Sequence, residues 1–417
     1  MIWRRYIATE AWGYNLLALI ALVIPLHRKL VPPAIVLALV FVLFQLLRGR
    51  SSPAHAHWSR LRGPLSGLIA LYVFVAIGFL FTRNEVVAAR ELEYKLSFLL
   101  FPLLAVCMPP LDKAQLNRLL WVFTAGCLLF LVAAISFGVY RTIRTGDCGY
   151  LAYEDLSVIF HPTYMAMYQG VALFHLMQCH QRGEWFAGRA MLHRLAIAAV
   201  VVFIAMLASK AGLLSAVLIS LFFALNHVRN GSGRSLAWLT SGAVVALLLI
   251  AAWGIPVTQK RLSQVAPATP VDAVVPVPAK ASSALRMVAW SSGWELMREN
   301  PLGLGTGNVQ EALNGQYESR GENYALKRNL NAHSQYLQTG LEFGWSGLFV
   351  LLAALLGFLR QAFRLRNPAF IVIASLVLFH CLAESMLEVQ SGIVFLAFWM
   401  TCLALTGDSR QVSADRV

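Results

Sequence analysis

Charge is what this sequence lacks. Only 13% of its 417 residues are Asp, Glu, Lys or Arg, about half the share found in an ordinary soluble domain. That is too little to solvate a globular surface, and a soluble fold is excluded. Acids are scarcer than bases, 20 against 34, for a net charge of +14. In a soluble protein that excess would suggest nucleic acid. Here the bases fall in short stretches between apolar runs, so they are read as loop charge that orients membrane spans and meets anionic lipid, with no nucleic-acid partner. The six cysteines follow no metal or disulfide spacing. Cys107, Cys127, Cys381 and Cys402 lie in apolar runs, Cys179 lies at the end of one, and Cys148 has no evident partner; neither a disulfide framework nor a zinc site is expected. No internal repeat is visible, and the first apolar block runs on without a small-residue cleavage site, which argues against a cleavable signal peptide.

What the chain has in abundance is hydrophobic residues, 58% of the total, gathered in blocks. Each block is about as long as a bilayer-spanning helix, which needs roughly 20 residues. The fold class expected is an all-α polytopic integral membrane protein, residues 1–417 forming a single membrane domain. About 12 transmembrane helices are expected, near 12–27, 31–47, 64–81, 96–110, 117–138, 163–179, 192–208, 211–227, 237–254, 336–359, 369–384 and 387–406. The basic stretches MIWRR, 48–62, 181–194, 227–234 and 360–366 recur where every second loop falls. Placing them in the cytoplasm satisfies the positive-inside rule and puts both termini there, with HRK (27–29) the one exception. The outer face then receives residues 82–95, 139–162, the pair Ser209–Lys210, a long segment 255–335 between spans 9 and 10, and the turn 383–385.

Only the segment 255–335 is large enough to be a folded lid. Its first part, QVAPATPVDAVVPVPAKASS (264–283), is rich in Pro, Ala and Val and reads as extended or mobile. From 284 to 300 the pattern becomes helical: Met287, Trp290, Trp294 and Met297 share a face, and Arg286 lies one turn before Trp290. Two tryptophans on one face suit a helix lying in the membrane interface, and Pro301 should stop it. The stretch NPLGLGTGN (300–308) looks like a phosphate-cradling loop, yet no strand precedes it and no βαβ unit surrounds it, so it is read as a flexible turn. Then comes NLNAHSQYLQTGLEFGWSGL (329–348), polar at its start and apolar at its end. Asn331 or Ser334 can cap the helix it opens, which places His333 at the N-terminal end. The partial positive charge there disfavours imidazolium, and a neutral imidazole is what a general base must be. Glu342, nine residues further and so about 13 Å along the axis, is an acid inside a span and needs a partner.

These residues resemble a known family. Arg286, Trp290 and Trp294 in R-x3-W-x3-W, then NPLGLGTGN, then NAHSQYLQTGLEFGWSGL are similar to the signature region of the O-antigen ligase and polymerase superfamily. LEYKLSFLLFPLL (92–104), HPTYMAMY (161–168) and ASKAGLLSA (208–216) resemble its upstream blocks, with Ser209–Lys210 where the family commonly has Ser-Arg. The resemblance implies a GT-C-like, metal-independent and inverting glycosyltransferase of the Gram-negative inner membrane, without cofactor, whose active site faces the periplasm. Its donor would be a glycan on undecaprenyl diphosphate, and its acceptor, for a ligase, a sugar hydroxyl of lipid A–core oligosaccharide. It implies His333 and Arg286 as catalytic, and Lys210, Arg83, Arg90, His161 and Tyr164 as substrate-binding.

The chemistry fits independently. A polyprenyl-diphosphate donor is already activated, so the protein must neutralise the departing diphosphate and take a proton from the attacking hydroxyl. Arg83, Arg90, Lys95, Arg141, Arg144, Lys210 and Arg286 supply cations on the outer side. His333 supplies the base, with His161 as a lesser candidate. The outer acids Glu85, Glu91, Glu93, Asp147, Glu154 and Asp155 are interleaved with bases or strung along a loop, unlike the gathered oxygens a hard cation needs. A polymerase or a protein O-oligosaccharyltransferase of the same superfamily shares this donor chemistry. A lipid-linked oligosaccharide transporter is a rival of another class, but the cations crowd the outer rim and no half-to-half symmetry is visible.

Overall fold

The structure, a computed structural model, describes residues 2–47, 58–185, 188–229, 242, 244–249, 259 and 282–407. Among these residues there is no strand. The helices used below are α1 (Ile2–Leu26), α2 (Val31–Leu47), α3 (Pro64–Phe79), α4 (Glu85–Lys95), α5 (Ser97–Cys107), α6 (Lys113–Thr145), α7 (Tyr153–Ser157), α8 (Pro162–Arg182), α9 (Ala190–Met206), α10 (Lys210–Arg229), α11 (Ser282–Glu299), α12 (Val309–Ser319), α13 (Asn323–Lys327), α14 (Gln335–Arg364), α15 (Pro368–Ala383) and α16 (Gln390–Gly407).

Among the described residues, three helical stretches are long and apolar enough to cross a membrane: Arg28–Leu47, Lys113–Thr145 and Gln335–Arg364. Shorter apolar helices run Ala11–Leu26, Pro64–Phe79, Ala190–Met206, Lys210–Leu225, Pro368–Ala383 and Gln390–Thr406. The block 96–110 gives a helix of only 11 residues, α5, because Met108 turns extended ahead of Pro109 and Pro110. The span placed at 237–254 falls almost entirely outside the described residues, as does 264–281. Helix α8 has the length of a span, but Tyr164, Tyr168, Gln169 and His175 break its apolar run, and it is buried along nearly its whole length. It is a core helix of its unit, at the place where a span was expected near 163–179.

The chain divides into two compact units. The first comprises Met1–Ile20, Val31–Asn117 and Ser282–Val417. In it α14 packs on α3 and α15, and α16 packs on α5. Helices α11, α12 and α13 close over a small core of Leu296, Met297, Val309, Leu313, Tyr317, Ala325, Ala332 and Leu341. The second unit comprises Ala21–Leu30 and Arg118–Ala281, with α8 packed on α9 and α10. Gly212 lets α10 approach α8, because a Cβ there would collide with the Cβ of Ala166.

The segment 300–308 fixes the first unit's geometry. Helix α11 stops at Glu299, two residues before Pro301. Gly303, Gly305 and Gly307 then adopt φ of +88°, +85° and +83°, which glycine alone enters without strain. Helix α14 breaks at Gly344, with φ 67° and ψ −163°, and the segment fills the break. Leu304 N–H donates to Leu341 O at 2.8 Å, Gly305 N–H to Glu342 O at 3.0 Å, and Trp345 N–H to Pro301 O at 3.1 Å. On its other side Thr306 Oγ1 donates to Val75 O at 2.9 Å, and Asn308 Oδ1 accepts from the N–H of Arg83 at 2.8 Å. The expectation of a flexible turn is therefore corrected. Two of the loop's amides are spent on the carbonyls that the kinked helix cannot satisfy internally.

Candidate active site

Helix α14 begins at Gln335 with Ser334 as its N-cap, and the Ser334 side chain makes no capping hydrogen bond. The cap interaction lies one step outside the helix: Asn331 Oδ1 accepts the N–H of His333 at 3.0 Å. His333 is held at φ +45°, uncommon for a residue with a Cβ. Its carbonyl accepts the indole N–H of Trp290 at 3.1 Å, which ties the face of α11 read as interfacial to the start of α14.

The imidazole has a partner that the sequence did not disclose. Nδ1 of His333 stands 3.3 Å from Glu384 Oε2, and the other oxygen, Oε1, accepts from Arg286 Nη2 at 2.5 Å. The three side chains are partly to largely buried: 20% exposed for Arg286, 25% for His333 and 8% for Glu384. A carboxylate on Nδ1 selects the tautomer that carries its proton there and leaves the lone pair on Nε2. His333 thus faces a nearby carboxylate as well as the helix N-terminus. The sequence reading had included only the second.

A second cluster lies deeper in the same unit. The Lys95 ammonium is bonded to Glu342 at 2.9 Å, to Glu388 at 3.2 Å and to Glu91 at 3.4 Å. Burial alone would depress the lysine pKa, but the carboxylates of Glu342, Glu388 and Glu91 outweigh it and raise it above its ordinary value. Glu342 thereby has the partner its depth demanded, and Lys95 is committed to that cluster instead of standing at the rim with the other cations. The carboxylates of Glu91, Glu342 and Glu388 lie within 4.8 Å of one another, close enough to gather a cation. The expectation that the outer acids stay dispersed does not hold for Glu91.

Arg83 and Arg90 are exposed, at the start of and within the α4 region, and the backbone of Arg83 is pinned by Asn308. His161, Tyr164 and Lys210 belong to the second unit. His161 is the N-cap of α8, its Nδ1 accepting from Thr163 N–H at 3.4 Å, and Tyr164 is buried with its ring 6.2 Å from the imidazole. Ser209 Oγ accepts from Gly212 N–H at 3.3 Å and caps α10, whose first residue is Lys210, while Ala208 ahead of it sits at φ +48°. The Ser209 hydroxyl also meets Thr163 Oγ1 at 3.4 Å, so the N-termini of α8 and α10 are drawn together. Two partly positive helix ends with a lysine at one of them suit an anion.

Residues 195–352 match the family model described as O-antigen ligase. The match is consistent with the O-antigen ligase superfamily. Families of this kind are glycosyltransferase-like ligases and polymerases acting on lipid-linked polysaccharides in membranes, and with the apolar helices they make this a membrane protein. The matched segment contains Lys210, Arg286, His333 and Glu342, while Glu384, Glu388, Lys95, Arg83, Arg90, His161 and Tyr164 lie outside it. No curated protein matches the chain.

Sequence reasoning overlooked Glu384. It had been seen only as part of an outer turn at 383–385. The available signal was the cost of an acid at the mouth of an apolar run, which ordinarily means a partner or a task.

Proposed function

We propose that this protein is a metal-independent, inverting, GT-C-like glycosyltransferase that ligates O-antigen polysaccharide to lipid A–core oligosaccharide. The donor is the polysaccharide on undecaprenyl diphosphate, and the reaction takes place on the periplasmic face of the Gram-negative inner membrane. The observation that carries this reading is the chain Arg286–Glu384–His333 at the head of α14. His333 Nε2 takes the proton of the acceptor sugar hydroxyl as its oxygen attacks the anomeric carbon. The bond from that carbon to the diphosphate oxygen breaks, and undecaprenyl diphosphate leaves with the bonding pair. Glu384 holds the imidazole in the accepting tautomer and steadies the imidazolium formed.

A guanidinium has five N–H donors, so pairing with Glu384 leaves Arg286 donors for phosphate oxygens. Arg83 and Arg90 offer further cations in the same unit. In the second unit, Lys210 with the converging helix starts at His161 and Ser209 offers phosphate-binding chemistry, and Tyr164 supports His161. Within the outer segment read at 255–335, residues 282–335 carry Arg286 and His333.

The test is a gel of lipopolysaccharide from a deletion strain that carries either the wild-type gene or His333→Ala. Bare core with long polymer accumulating on the lipid carrier supports the ligase and an essential His333. A single repeat left on core makes the protein the polymerase of the superfamily. A ladder equal to wild type removes His333 as the base.

A further inference from the structure

Glu384 sits on a short turn, and that turn needs an anchor. Gln335, the first residue of α14 and two residues beyond His333, supplies it. Its Oε1 accepts the N–H of Leu387 at 2.6 Å, and its Nε2 donates to Glu388 Oε1 at 3.0 Å and to Thr339 Oγ1 at 3.0 Å. The second oxygen of Glu388 lies 3.2 Å from Lys95, which is also held by Glu342 and Glu91. Gln335 is 2% exposed and Lys95 4%. Burying an ionic cluster is a poor route to stability, since apolar side chains of similar volume often do as well or better. What a directional cluster supplies that an apolar one cannot is a fixed register between the elements that it joins. Here those elements are α4, α14 and the turn Met386–Glu388.

We propose that Gln335, Glu388 and Lys95 are positioning residues, a buried clamp that fixes the turn so that Glu384 faces His333 and Arg286. The inference rests on the reading of His333 as the base and adds residues that touch no substrate. It differs from simple packing in one respect: the clamp acts on the reaction only through Glu384.

The experiment is a double-mutant cycle on the full chain in liposomes, with a polyprenyl-diphosphate-linked glycan as donor and lipid A–core as acceptor. Turnover and donor KM are measured per amount of folded protein for wild type, Gln335→Ala, Glu384→Gln and the double variant. Gln335→Ala is expected to lower turnover roughly tenfold, because small misplacements of reacting groups are costly, with donor KM within about twofold of wild type. Combined with Glu384→Gln it should lower turnover no further, because residues acting through one group are not additive. Should Gln335→Ala fail to fold, Glu388→Gln in the same cycle loosens the link to Lys95 and still offers Gln335 an oxygen. The clamp is overturned if the two losses multiply in the double variant, or if the clamp variant turns over like wild type while Glu384→Gln is slow; the base reading survives both results. If Glu384→Gln itself turns over like wild type, the role of Glu384 falls, and the clamp falls with it.

Discussion

His333 and Glu384 are 51 positions apart in sequence, and Arg286 and Glu384 are 98 apart. Local pattern reaches a few residues along a helix, which is why His333 and Arg286 were legible and the carboxylate between them was not. The pairing gives Arg286 two duties, and a lysine is poorly shaped for both, being a point charge without the planar fork. Arg286→Lys should therefore lower turnover about 10- to 100-fold, the worth of one charge-assisted hydrogen bond, and raise the donor concentration needed for half-maximal rate. Donor titration of the purified variant checks this; a rate within twofold of wild type would mean that charge alone suffices at this position.

At the scale of elements, hydrophobic blocks and prolines announced most helices, including the stop of α11 ahead of Pro301. Composition does not say what α8 faces, because a helix buried in protein and one exposed to lipid can both be apolar enough to look alike. The glycine-rich segment was visible as a loop, but its rigidity was not, since the carbonyls it satisfies belong to α14 and α3. Gly344 is where that rigidity can be probed. A methyl group there would press on Pro301 O and the Leu302 backbone, in a backbone region that glycine nearly monopolises. Gly344→Ala should destabilise the fold by about 1–3 kcal/mol or more. Gly315, in α12 with open space around it, gives the control. Thermal unfolding in detergent compares the two: Gly315→Ala should melt near wild type and Gly344→Ala well below it. Equal melting would mean that the kink is not needed.

For the whole molecule, the positive-inside rule predicts both termini in the cytoplasm, and the function proposed above requires the α12–α13 turn on the other side. A fluorescent protein fused after Val417 should fluoresce, and alkaline phosphatase inserted at Gly321, an exposed turn, should be active. The reverse pattern would invert the protein and place His333 away from any periplasmic acceptor. The bonds that build the site also span much of the chain: Thr306 reaches Val75 across 231 positions, and Lys95 reaches Glu342 across 247. The turn that carries Glu384 and Glu388 leads into α16. The ion pairs to Glu384 therefore close only after the ribosome has added 98 residues beyond Arg286 and 51 beyond His333. On the proposed function, a nascent chain that has not yet reached Glu384 lacks the carboxylate that joins its base to its guanidinium, and transfer has to wait for it.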